Sequence, residues 1–125
     1  MLHMTDRIRV LVVEPDATCR IETINGDWQS IKSLIGGWLE AVSGVMGHWI
    51  AYGDEEGNLK GLPQNPLATG IIMAADGAPV PPVGTVVFVG MTYVGGEDGY
   101  TEADCPRELI ELAFPGGMLP PNSDL

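Results

Sequence analysis

DWQSIKSLIGGWLEAV, residues 27–42, is the stretch whose reading decides the fold. Asp27 follows the turn residues Asn25 and Gly26, and its carboxylate is suited to accept from the first free amides of a helix. Trp28, Ile31, Leu34 and Ile35 come next at helical spacing and make one apolar stripe. Gly36-Gly37 then separates two outcomes. A helix carried through both glycines loses about 2 kcal/mol relative to alanine. A helix that ends there, with glycine in the left-handed position after its last turn, loses little. The sequence therefore predicts a helix over 27–35 and a strand at Trp38–Val42; one kinked helix running to Val42 is the competing reading.

Upstream, IRVLVVEP (8–15) is β-branched and apolar on both faces, as a central strand requires, and Pro15 ends it because proline cannot donate to a ladder. Cys19–Ile24 reads as its hairpin partner across Asp16–Thr18. Downstream, Gly44–Gly47 is a turn and His48–Tyr52 a strand. Asp54–Asn58 is a polar turn from which Leu59–Leu62 is expected to return as a hairpin partner, closed by Pro63. Asn65-Pro66 has the form of a helix cap followed by proline, with a helix of about one turn expected after it. Ile71–Ala75 reads as a short strand, the proline-rich stretch 76–82 as a stiff loop, and GTVVFVG (84–90) as a second central strand with Met91–Val94 after it. An acidic glycine-rich loop follows at 95–99, and then a helix over 102–113 with Pro106 in its first turn.

The expectation is an α+β fold: a small mixed or mainly antiparallel sheet of about five to seven short strands with two helices, at 27–35 and 102–113. It forms a single globular domain over 6–114, followed by a flexible C-terminal tail at 115–125. A chain of 125 residues fits one domain.

Six Lys and Arg stand against 17 Asp and Glu, a net charge of −11. That sign repels phosphate backbones and anionic membrane surfaces, so neither direct nucleic-acid binding nor membrane docking is expected. Two explanations of the acidity stay open, plain solubility and DNA mimicry. The acids come in small groups and in no long run. No charged start leads into an apolar leader and no apolar run approaches 18 residues, so a cytoplasmic setting with Cys19 and Cys105 reduced is expected.

The residues that carry chemistry are few. His3, Cys19, His48 and Cys105 lie in separate segments and lack the short ligand spacing of a structural zinc site. Asp54, Glu56 and Asn58 alternate like the start of a calcium loop, but Leu59 stands where the required glycine would be. Ser43 has Ala41 and Val45 where a nucleophile elbow needs glycines, and the Gly-rich stretches match no phosphate-binding pattern. No metal, no cofactor and no catalytic set is expected.

IRVLVVEP, the short helix ending in Gly-Gly before WLEAV, and DEEGNLKGLPQNPLA (54–68) together resemble the domain of unknown function 3846, a family of small proteins in actinobacteria, other bacteria and their phages. The likeness spans about residues 8–92, and its most distinctive piece is EEG-x-L-x-G-L-P-x-N, with Gly57, Gly61, Leu62, Pro63 and Asn65 in place. The stretches 76–82 and 95–99 look like departures. The resemblance implies a phage or mobile-element accessory protein and carries no activity with it.

The reading that remains is a small non-enzymatic binding or modulating protein that recognises a small ligand or a host protein through the 38–65 hairpin region. Its candidate residues are Trp38, Trp49, Gly61, Pro63 and Asn65. For the tryptophans the competing role is core packing, and for Asn65 it is capping of the following turn. The alternatives are an acidic DNA-mimic inhibitor of a DNA-processing enzyme and an enzyme of unidentified type.

Overall fold

The computed structural model describes residues 7–78, 81–96 and 99–115. Its centre is an antiparallel sheet of six strands. Strand β1 (Arg7–Val13) and strand β2 (Cys19–Asn25) form the expected hairpin, in register from Arg7 opposite Asn25 to Val13 opposite Cys19. Helix α1 (Trp28–Ile35) follows, then β3 (Leu39–Val45), β4 (Trp49–Asp54), helix α2 (Pro66–Ala74), β5 (Val86–Tyr93), β6 (Tyr100–Ala103) and helix α3 (Arg107–Ala113). The strand order is β2-β1-β5-β4-β3. β6 continues the β1 side of β5, pairing Gly90–Tyr93 beyond the point where β1 pairs Val86–Phe88.

The two strongly apolar stretches of the sequence are the two most buried strands, because each has neighbours on both edges and helices over both faces. Alternation along them builds two cores. Leu11, Val13, Val86 and Phe88 face α2 and α3 with Trp49 and Ala51. Val10, Val12, Val87 and Val89 face the other way, onto Ile31 and Ile35 of α1. The domain thus has three layers, with one helix on one face of the sheet and two on the other.

The break at Gly36-Gly37 is where the sequence placed it. Asp27 accepts from the Ser30 amide, and Gly36 closes the helix with φ +83°, its amide donating to Lys32 O at 2.8 Å.

Three expectations need correction. The described residues hold three helices and not two, because Ile71–Ala74 belongs to α2 and Ala75 is its C-terminal cap. The cap at Asn65 launches nine helical residues, and burial of Ala68, Ile71 and Ile72 on one face outweighs the strand preference of the Ile-Ile pair. Leu59–Leu62 does not return as a strand, since both edges of β4 are already taken by β3 and β5; 55–61 folds as consecutive turns. Residues 102–106 are not helical. Tyr100–Ala103 is drawn into the sheet by the free edge of β5, the Cys105 amide donates to Arg9 O at 2.8 Å, and α3 begins at Arg107 behind Pro106. All but Pro115 of the expected tail lies outside the described residues.

Candidate functional site

Two tryptophans stand on the surface beside the Gly36-Gly37 turn. Trp28 opens α1, but the helix meets the sheet through Ile31 and Ile35, so Trp28 falls outside that contact and is 49% exposed. Trp38 is 56% exposed. The left-handed turn at Gly36 carries the chain back so that the two indoles stack, with centroids 6.1 Å apart and planes 18° from parallel. Lys32, one helical turn after Trp28, holds its ammonium 4.0 Å from the Trp38 ring centroid. A stack of this kind adds about 0.5–1.5 kcal/mol beyond area burial, and an exposed cation over a ring about 0.5–1 kcal/mol. The aromatic pair is therefore held in place while it faces water.

The backbone beneath Trp38 is held from the other side by the turn after β4. Glu55 N donates to Trp38 O at 2.8 Å. The Asp54 carboxylate packs against Gly37, accepts from Glu56 N at 2.8 Å and from Lys60 Nζ at 2.6 Å. The lysine hydrogen bond holds the Asp54 carboxyl below its ordinary value of 3.8, and the same contact keeps Lys60 charged to higher pH. A cleft of about 440 Å³ opens between these elements, bordered by Lys32, Gly36, Gly37, Trp38, Glu56 and Lys60. The chain has only two lysines, and both stand on it.

The five residues singled out from sequence do not converge. Trp38 alone lies on this cleft. Trp49 is buried, 3% exposed, tilted against Phe88 in the core under α2 and α3. Asn65 is wholly buried: Oδ1 accepts from Ala68 N, and Nδ2 donates to Val13 O and Gly84 O, both at 2.9 Å. It caps α2 and ties that helix to β1 and to the approach to β5. Gly61 sits exposed in a left-handed turn with φ +67°, and Pro63 is exposed next to the Gln64–Val83 bridge, its carbonyl accepting from Gly84 N. Trp28 and Lys32 went unread as site residues because the helical stripe assigned Trp28 to the core. The spacing of a tryptophan and a lysine four apart, with a second tryptophan just past a Gly-Gly turn, was the signal available.

The EEG-x-L-x-G-L-P-x-N motif is an architectural device. A Cβ at Gly57 would lie 2.7 Å from Val83 and 3.2 Å from Asp54 O, Leu62 packs over Gly84, and Asn65 supplies the cap. Glycine at 57 lets the turn lie flat on the approach to β5, which sets α2 at its start.

Among the described residues no group of three or more His, Cys, Asp or Glu could hold a metal ion. Both thiols are free; Cys105 is pushed up to about 12 by burial, and burial also raises Cys19. Among the described residues no helix is long and apolar enough to cross a membrane.

No curated protein and no solved structure matches the chain. A family model does, over residues 8–111, from the first strand into the last helix. The match runs through the segments at 76–82 and 95–99 that look like departures in sequence, and it takes in α1, the Gly-Gly turn and the motif that builds the Asp54–Asn65 corner. The chain belongs to the family described as domain of unknown function 3846.

Proposed function

We propose that the protein is a non-enzymatic binding module whose contact surface is the Trp28–Trp38 pair with the lysine-bordered cleft beside it, and that its partner is a host protein. The observation that carries this reading is the stacked, half-exposed tryptophan pair fixed by Lys32 and by the Gly37–Asp54 contact. Tryptophan is the residue most enriched among the anchors of protein interfaces, and an anchor already fixed in place loses little side-chain entropy on binding. The partner surface that suits it offers an apolar pocket for the indoles and carboxylates toward Lys32 and Lys60. The family likeness adds the setting, an accessory protein of a phage or mobile element acting in the cytoplasm of a bacterial host. Free thiols agree with that compartment.

Native mass spectrometry of the protein recovered from host lysate tests the reading. The wild type is expected to carry a protein partner that the Trp28→Ala/Trp38→Ala double variant loses while its thermal melt stays cooperative. An unliganded wild type, or a double variant that retains the partner, refutes it.

A further inference from the structure

A second cleft lies across the sheet from the tryptophan pair, between the C-terminal end of α2, the first turns of α3 and the β3–β4 turn. Its volume is about 550 Å³. Half-buried Val45 and Pro106 and Leu112, 39% exposed, give it an apolar floor, laid over the buried Trp49 and Leu109. Three exposed carboxylates, Asp76, Glu108 and Glu111, and the imidazole of His48 complete the margin, and no lysine or arginine lines it. α2 has no basic residue in its last turn, so its negative end adds to the field of the carboxylates, while the N-terminal turn of α3 on the other side carries Glu108.

Asp76 is the unusual member. Gly77 N donates to Ile72 O at 2.8 Å and Asp76 N to Met73 O at 3.2 Å, the paired bonds of a helix stop in which glycine or asparagine normally takes the left-handed position. Here an aspartate takes it, with φ +66°. The residue is disfavoured twice: by its backbone conformation, and by a negative charge at the negative end of a helix. Local cost of this kind, held at the edge of a cleft, points to a role outside folding.

We infer that this cleft receives a cationic amphipathic helix of a partner protein, its apolar side chains on the floor of Val45, Pro106 and Leu112 and its lysines or arginines against Asp76, Glu108 and Glu111. Charge complementarity selects that occupant. An apolar floor favours an apolar anchor, and a margin with three carboxylates and a helix C-terminus favours positive charge around it. The inference is independent of the tryptophan surface and uses none of its residues.

The test is fluorescence anisotropy with a labelled synthetic helix of leucine and lysine, leucines spaced to form one face, against a leucine–glutamate helix of the same pattern. The leucine–lysine probe is expected to bind saturably and the leucine–glutamate probe not at all. Glu108→Gln/Glu111→Gln is expected to weaken binding about fivefold or more, and Leu112→Ala to weaken it as well. Glu40→Gln/Glu55→Gln removes the same charge at the far end of β3 and is expected to leave the affinity within about twofold. Asp76→Asn is expected to weaken the probe and at the same time to raise the melting temperature of the free protein, since asparagine accepts the left-handed backbone without the charge. No saturable binding, equal binding of the two probes, equal loss in the distal pair, or an Asp76→Asn protein that melts lower would each overturn the inference.

Discussion

Gly37 lies against the carboxylate of Asp54 so closely that a Cβ built on it would stand 2.5 Å from Oδ2 and 2.7 Å from Oδ1. The contact joins the end of α1 to the turn after β4. It therefore couples the surface that presents Trp38 to the motif that starts α2.

The two adjacent glycines are expected to respond differently to the same substitution. Gly36→Ala meets open space and is opposed only by its left-handed backbone, a net loss of about 1 kcal/mol. Gly37→Ala must displace the Asp54 carboxylate from Lys60 and from the Glu56 amide, at about 2–3 kcal/mol. Urea melts of the two variants decide the matter, and equal losses would mean that the Gly37–Asp54 contact is not rigid.

Stability at low pH is expected to depend on Asp54. Lys60 holds its folded carboxyl below the ordinary 3.8, so above that value both states are ionised and the contribution is complete. As pH falls through 3.8 the unfolded chain takes up the proton first, and the contribution is lost as the folded group titrates below it. The wild type should therefore lose stability more steeply than Asp54→Asn below about pH 4. Parallel curves in urea melts across that range would contradict the assignment.

Asn65 is expected to be worth more than a helix cap. Replacing an ordinary cap by alanine costs about 1 kcal/mol. Asn65→Ala also strands the buried Val13 and Gly84 carbonyls, so about 2–4 kcal/mol is expected. Asn65→Asp should be worse at neutral pH, because a carboxylate would face two carbonyl oxygens, and should recover as acid protonates it. A loss near 1 kcal/mol for the alanine variant would reduce the residue to its cap.

The three tryptophans are expected to divide two to one. Trp49→Ala should cost about 3–5 kcal/mol, and Trp38→Ala less than about 1 kcal/mol. Acrylamide should quench the emission of Trp28 and Trp38 readily and leave Trp49 protected, because only the last is buried. Three equally accessible indoles would contradict this arrangement.

Local chemistry made much of this fold readable. The Asp27 cap, the Gly-Gly stop, the β1–β2 hairpin and the two central strands each follow from signals within a few residues, and each is observed. The failures share a cause. Leu59–Leu62 had no open edge of β4 to return along, 100–103 had the free edge of β5, and Ile71–Ile72 had a helix-shaped place in the core. In all three cases the local preference was weak and the neighbour across the sheet or the core made the choice.

The candidate surface was half readable. Trp38 could be named from sequence, but it meets its companions Trp28 and Lys32 through a left-handed turn, held by the Asp54 carboxylate that packs on Gly37 from 17 residues downstream. By itself the sequence determined the acidic charge, the absence of a local ligand pattern, the position of the helix stop and the two strands that would lie deepest. Which indole would be buried and which displayed was left to the tertiary structure. Exposure is a property of what packs on top, and no residue carries that information in its own neighbourhood.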